Sequence, residues 1–438
     1  MKTFLIVAGC LTLLTGVTPR PCVAATGRAS IVSSVVEPYP VTASKKGLQV
    51  EWVDDAIALG VKHAALNFNL CELVDPVGLR ENPAWELAGK TFRFQRGYLA
   101  RMDQQIKPLS EKGILVHLIL LTYASGDASV NRLMLHPNYS TNAPNRLGAF
   151  NTATEGGRLW LQACLEFMAE RWSRPDRQFG RVVGYILGNE VNSHWFWSNM
   201  GRVTMPVFTD AYEHAARIVS HAIRKQCSWG RLYLSLEHHW NIRYPAADAH
   251  QAFAGREFLE YFARRSKDLG DFEWHLAFHP YPENLFEPRF WKDSSAIASP
   301  STPRITFKNL NQITDFMGRP ELFFEGKPRR IILSEQGFHT PNGDDGETLQ
   351  AAAYCYAYKI VDSLPGIDAF ILHRHVDHPA EGGLWLGLRS LKSNSHEARP
   401  RKKIYDCFRL ADTPGWEEAF RFALPVIGIK TWEDGLVR

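Results

Sequence analysis

The chain has 438 residues, of which 45% are hydrophobic and 22% charged, and its formal charge is +4. This is the composition of an ordinary globular protein with ample material for a core. The near-balance of charge, with Lys and Arg scattered along the chain, excludes a strongly electrostatic partner such as nucleic acid.

Residues 1–25 open with Lys2, continue through an apolar stretch from Phe4 to Leu14 and close on Val23, Ala24 and Ala25. This is the grammar of a secretory signal, too short and interrupted to span a membrane in the mature protein. Export to a secreted or periplasmic location is the expectation. Val7 to Cys10 also have the form of a lipobox, which keeps a lipid-anchored alternative open. Five cysteines follow, Cys71, Cys164, Cys227, Cys355 and Cys407, with no CxxC among them. Their odd number and apolar neighbours favour buried thiols over disulfides.

Residues 26–438 read as one domain. A first strand is expected at Ser30 to Val36, and from Leu48 the spacing of Val50, Val53, Ala56 and Ile57 predicts a helix that ends at Gly60. A second strand, Ala64 to Asn69, exits past Asn67. The helical stretch Tyr98 to Glu111 leads to a third strand, Ile114 to Leu121. Residues 122–157 are polar and long, as expected of a loop overhanging a functional face.

The helix marked by Leu161, Leu165, Met168 and Trp172 precedes a fourth strand, Val182 to Leu187. That apolar run stops at Gly188, Asn189 and Glu190, as a strand buried on both faces does when its end opens to solvent. A fifth strand, Leu232 to Leu236, exits into Glu237, His238, His239 and Trp240. The sixth, Trp274 to Phe278, is followed by His279 and Tyr281. After an excursion over residues 283–328 the seventh, Arg330 to Leu333, runs into Ser334 and Glu335. The eighth, Ala369 to Leu372, leads to His373, Arg374 and His375, with Trp385 further on. Eight strands alternating with helices, without an internal repeat, predict an α/β fold: a single (β/α)8 barrel with long loops on the catalytic face.

Strands four and seven lie opposite each other across such a barrel, so Glu190 and Glu335 share one cleft. Two facing carboxylates are the equipment for glycosidic cleavage. In this the chain resembles the retaining glycoside hydrolases of clan A, whose barrels carry the acid/base after an Asn at strand four and the nucleophile at strand seven. The resemblance implies Glu190 as acid/base, Asn189 as donor to the sugar 2-hydroxyl and Glu335 as nucleophile. The His279-x-Tyr281 pair matches the clan's frequent His-x-Tyr, whose Tyr holds the nucleophile. The chain looks most like uncharacterised secreted bacterial barrels of this type. Val191 stands where many members have Pro, so no substrate family is implied.

Asn67, His239, Trp240, Arg374 and Trp385 follow strand ends and are further candidates for binding carbohydrate. Indoles offer a stacking face, as do Trp195 and Trp197, and Arg374 suits a carboxylate or an anionic sugar. The reaction requires no metal or cofactor. Two alternatives stand beside it. A metal-dependent barrel hydrolase is prompted by His238, His239, His275, His279, His373, His375 and His378, and a non-catalytic carbohydrate-binding barrel would keep the aromatic cleft. Sugar, linkage, endo or exo action and oligomeric state are not legible.

Overall fold

The computed structural model describes residues 37–391 and 400–436. Eight parallel strands close into a barrel: β1 (Lys46–Gln49), β2 (His63–Asn69), β3 (Leu115–Leu121), β4 (Val182–Leu187), β5 (Arg231–Glu237), β6 (His275–His279), β7 (Ile331–Leu333) and β8 (Ile367–Leu372). Each hydrogen-bonds to its neighbours in chain order, and β1 pairs with both β8 and β2 to complete the ring. The (β/α)8 fold expected from strand and helix alternation is therefore present. Helices follow the strands as α1 (Val53–Ala58), α2 (Arg96–Glu111), α3 (Glu155–Arg171), α4 (Met205–Gln226), α5 (Gly255–Asp268), α6 (Asn311–Met317), α7 (Gly346–Ser363) and α8 (Lys403–Leu410). Among the described residues no helix is long and apolar enough to cross a membrane.

Seven strands lie within two residues of their expected positions. The first does not. Ser30 to Val36 lie outside the described residues, and the ring is closed by Lys46–Gln49, a four-residue strand hidden at the start of the stretch read as a helix. The helix proper is short and begins only at Val53. The reason is local: Lys-Gly-Leu-Gln has one large apolar side chain, so it carries no hydrophobic run to read. Its Gly47 is demanded by packing, because a Cβ there would lie 2.8 Å from Ile371 Cγ1 and 3.0 Å from the His63 Cβ. The stretch 122–157 is also less irregular than expected, holding a helix at Ala128–Met134 capped by the Asp127 carboxylate.

Alternation along each strand divides the interior into layers. The middle is apolar, with Ala65, Ile119, Ile186, Ala277, Ile332 and Ala369 packed together. Below them, at the N-terminal ends of the strands, lies a floor of rings. His63 stacks on His117 at 5.7 Å between centroids, and Tyr233 meets His117 and His275. Outside the barrel a much larger core joins strands to helices, including Trp172, Trp240 and Trp274, each at most 2% exposed. Cys71, Cys164, Cys227, Cys355 and Cys407 are buried in that shell and free, as their apolar neighbours led us to expect.

Candidate active site

Above the apolar layer the inward positions of six strands become polar, Gln49, Asn67, Glu237, His279, Ser334 and His373, while β3 ends on the apolar Leu121. The register sets them side by side, since Glu237 is level with His279 across β5 and β6. Glu190 joins this ring by a different route. The chain leaves β4 through Gly188 and turns at Glu190 itself, which holds a left-handed backbone at φ 42°. Such a conformation costs a non-glycine residue about 1–3 kcal/mol and persists only where the surroundings impose it. Here the Glu190 N–H donates to Ser235 Oγ at 3.0 Å, and the next residues are gripped by Glu237.

The grip is extensive. Glu237 accepts from Asn192 Nδ2 at 2.7 Å, Ser193 Oγ at 2.9 Å, and His239 through its N–H and Nδ1 at 2.8 and 2.6 Å. Burial pushes this carboxyl up, but His239, His238 and the backbone donor outweigh it and hold it down at about 2. Its hydrogen bonds to Asn192, Ser193 and His239 pin the segment behind Glu190.

Glu190, whose side chain is 13% exposed, meets His279 Nδ1 at 3.0 Å, and His279 Nε2 meets Ser334 Oγ at 2.9 Å. Glu335 accepts from the Tyr281 hydroxyl at 3.2 Å and from Gln49 Nε2 at 3.2 Å, while Gln49 Oε1 lies 2.7 Å from His373 Nδ1. Carboxylate oxygens of Glu190 and Glu335 and a ring nitrogen of His279 all lie within 4.8 Å of one another. The two acids are pressed in opposite directions. Burial raises Glu190 above the ordinary carboxylate range, and the negative charges of Glu335 and Glu237 add to it, against the pull of His279. Burial also acts on Glu335, yet the His373 and His279 imidazoles and the Gln49 donor bring it below that range. Opposed shifts on two facing carboxyls separate a proton donor from an anion.

The other candidates are placed as follows. Asn189 is half-buried in the turn beside Glu190, and Asn67 is exposed at the mouth, two residues above Ala65. His239 is buried against Glu237. Trp385 is half-buried on the loop after β8, its N–H donating to His339 Nδ1. Trp240 is a correction: it is 2% exposed, packed edge-on against Phe316 and Phe278, and belongs to the outer core rather than the cleft. Arg374 is a second correction, because its guanidinium is taken by Glu51 at 2.9 Å and by Glu381. Trp197 packs on the interior cluster and so lies over the mouth.

The histidines that prompted a metal centre are dispersed. His275 is in the floor, His279 and His373 serve the carboxylates, and His375 is bound to Asp55. Two trios of ligand-type side chains occur among the described residues, Glu237–His238–His239 and Glu190–His279–Glu335. Their members already have hydrogen-bond partners: His239 with Glu237, His279 with Glu190, Glu335 with Tyr281 and Gln49, and His238 Nδ1 with the Tyr281 carbonyl at 2.9 Å. Gln49, Glu381 and the anchoring part of Glu237 escaped sequence reasoning. The adjacency of Gln49 to Glu335 depends on recognising β1, whose brevity concealed it.

Solved structures share this architecture. A hyperthermophilic β-glucosidase from Pyrococcus furiosus is similar with a TM-score of 0.52 at 14% identity, over 85% of this chain and 86% of that one. A family 39 glycoside hydrolase from Bacteroides cellulosilyticus WH2 gives 0.50 at 16% identity, over 82% of this chain, which spans only 59% of that enzyme. At such identities the likeness is one of fold. No protein of curated function matches in sequence. The sequence does follow a single family pattern from residue 38 to residue 435, through the whole barrel and its C-terminal segment, and the chain therefore belongs to DUF5722, a family of unknown function.

Proposed function

We propose that the protein is a retaining glycoside hydrolase with Glu190 as acid/base and Glu335 as nucleophile. The observation that carries this reading is the close approach of the two carboxylates, with oxygens within 4.8 Å. Double displacement uses carboxyl groups about 5–5.5 Å apart, whereas inversion needs about 6.5–9.5 Å to admit a water between base and sugar. The glycosidase names of the structural neighbours are in keeping with it.

In the first step a Glu335 oxygen bonds to the anomeric carbon as the glycosidic C–O bond breaks, and Glu190 gives its proton to the departing oxygen. In the second, Glu190 takes a proton from water, whose oxygen displaces Glu335 and restores both side chains. Tyr281 and Gln49 hold the nucleophile in line, and Asn189 is the donor to the sugar 2-hydroxyl. Trp197 at the mouth supplies an aromatic surface for the substrate. Export by removal of residues 1–25 belongs to the same proposal.

The test compares the purified protein with Glu335→Ala against aryl glycosides and plant, algal and microbial polysaccharides. Sugar release by the wild type alone, with the first-formed anomer retained in proton NMR spectra, is expected. Release of the inverted anomer would overturn double displacement. Binding of a glycan without turnover would make the barrel a carbohydrate-binding protein.

A further inference from the structure

A pocket of about 390 Å³ is lined by residues that include Asn69, Glu72, Tyr123, Ala124, Asn145 and Arg146. Tyr123 sets it near Glu335, because burial and then the charges of Glu335 and Glu381 raise its hydroxyl above the usual value. Asn69 ends β2, Tyr123 follows β3, and Tyr123 bridges to Leu147, a member of the interior cluster on which Trp197 rests. The volume lies within the range of small-molecule sites and suits a sugar ring.

Two charged residues line this pocket, Glu72 and Arg146, and of the two only Glu72 has an ion-pair partner among the described residues. Glu72 pairs with Arg101 at 3.2 Å and accepts a hydrogen bond from the Asn69 amide at 3.1 Å. Arg146 has no carboxylate partner among the described residues. Arg146 is exposed, and its Nη2 donates to the Ala124 carbonyl at 2.9 Å, which ties one corner of the guanidinium to the loop. The backbone beneath is held in an unfavourable form: Asn145 and Arg146 have φ of 66° and 58°, two successive left-handed residues that are not glycine. Asn145 Nδ2 bonded to the Phe196 carbonyl and Ala124 N–H bonded to the Arg146 carbonyl hold them there. A fork of N–H donors, anchored at one corner and unneutralised, recognises a planar or tetrahedral oxyanion. Arg374, the arginine that strand-end position made the candidate for this task, has its charge spent on Glu51 and Glu381.

We propose that this pocket is a subsite for an acidic sugar, with Arg146 binding a uronate carboxylate or a sulfate ester and Tyr123 and Asn69 bordering the ring. The inference rests on the glycoside hydrolase reading and specifies its substrate class: an anionic polysaccharide.

The experiment is calorimetric titration of the full-length protein carrying Glu335→Gln, which is not expected to turn the ligand over, with oligosaccharides of homogalacturonan, glucuronoxylan and carrageenan. Neutral xylan and cellulose oligosaccharides serve as comparison. At least one acidic oligosaccharide should bind on the order of tenfold more tightly than the neutral ones, less so as salt is raised. Adding Arg146→Gln should remove that advantage with an unchanged Tm, and Arg146→Lys should keep part of it. Preference confined to uronides or to carrageenan identifies the anion. Equal affinity for acidic and neutral chains, no binding by any of them, or a preference that survives Arg146→Gln overturns the subsite. Turnover of a neutral glycan by the wild type with no acidic preference would remove this inference and leave the glycosidase reading standing. Arg146-dependent binding with no hydrolysis of any glycan would do the reverse.

Discussion

Glu190 and Glu335 are chemically the same side chain, and their surroundings press them in opposite directions. Burial and two neighbouring anions raise Glu190, while imidazoles and the Gln49 amide lower Glu335. The proposed mechanism needs Glu335 ionised, so the rate is expected to fall as pH drops through that carboxyl's lowered pKa. It needs Glu190 protonated, so the rate falls again as pH rises through its raised one. A bell-shaped profile of kcat/KM is expected, its acid limb below and its basic limb above the ordinary carboxylate range. Replacing His373 with Phe should move the acid limb to higher pH, because one of the groups holding Glu335 down is lost; an unmoved limb would show that His373 has no such part. Glu190→Gln should slow poor leaving groups by about 10²–10⁴-fold and activated aryl glycosides much less, since only the former need a proton. Equal losses would remove Glu190 from the acid role.

At the level of elements, the mouth is built on an interior with little room. In the floor layer a Cβ added at Gly184 of β4 would sit 2.2 Å from His117 Nδ1 and 3.1 Å from Tyr233 Cε2. Gly184→Ala should cost about 1–3 kcal/mol, read as a lower Tm. A second tie joins α1 to the chain beyond β8. Asp55 accepts from His375 Nε2 at 2.8 Å, Arg389 Nη2 at 2.7 Å and the Tyr405 hydroxyl at 2.8 Å. Asp55→Ala takes the shared acceptor from three largely buried donors and should cost about 3–5 kcal/mol in chemical denaturation. How far these elements could be read from sequence follows from their burial. β4 and β7 are covered on both faces and announce themselves as apolar runs that end in acids. β1 is four residues long with an inward glycine, and nothing in Lys-Gly-Leu-Gln separates it from a loop. Trp240 misled because position after a strand does not say which way the chain turns: it turns outward, and the indole joins the outer core.

For the whole molecule, the barrel organises its chemistry by height. Acids and their partners sit at the strand ends, an apolar layer closes off the middle, and the shell of helices holds the five buried thiols. A thiol reagent should leave Cys71, Cys164, Cys227, Cys355 and Cys407 unmodified in the native protein and label all five in denaturant, and reducing agent should not change Tm. Labelling without denaturant, or a Tm that falls on reduction, would contradict this packing. The strand order placed both carboxylates correctly from sequence alone. The pocket beside them was invisible there, because it is made by residues such as Asn69 and Arg146 that meet only when the loops after β2 and β3 fold together.

The floor of rings gives the molecule a second and separate sensitivity to acid. Burial brings the His63 imidazole down to about 4 and pushes those of His117 and His275 well below their usual value of about 6.5. A histidine so depressed binds its proton more readily in the unfolded chain. Stability therefore declines as pH falls from about 6.5 through 4, where His63 itself begins to charge. Burial holds His194 and His238, outside the floor, at about 4 as well, so the loss of structure on acidification draws on imidazoles in several layers, while the proposed loss of rate starts with the Glu335 carboxylate. A brief acid exposure and a long one should thus affect the protein differently: the first reversed at once on neutralisation, the second only as far as the barrel can refold.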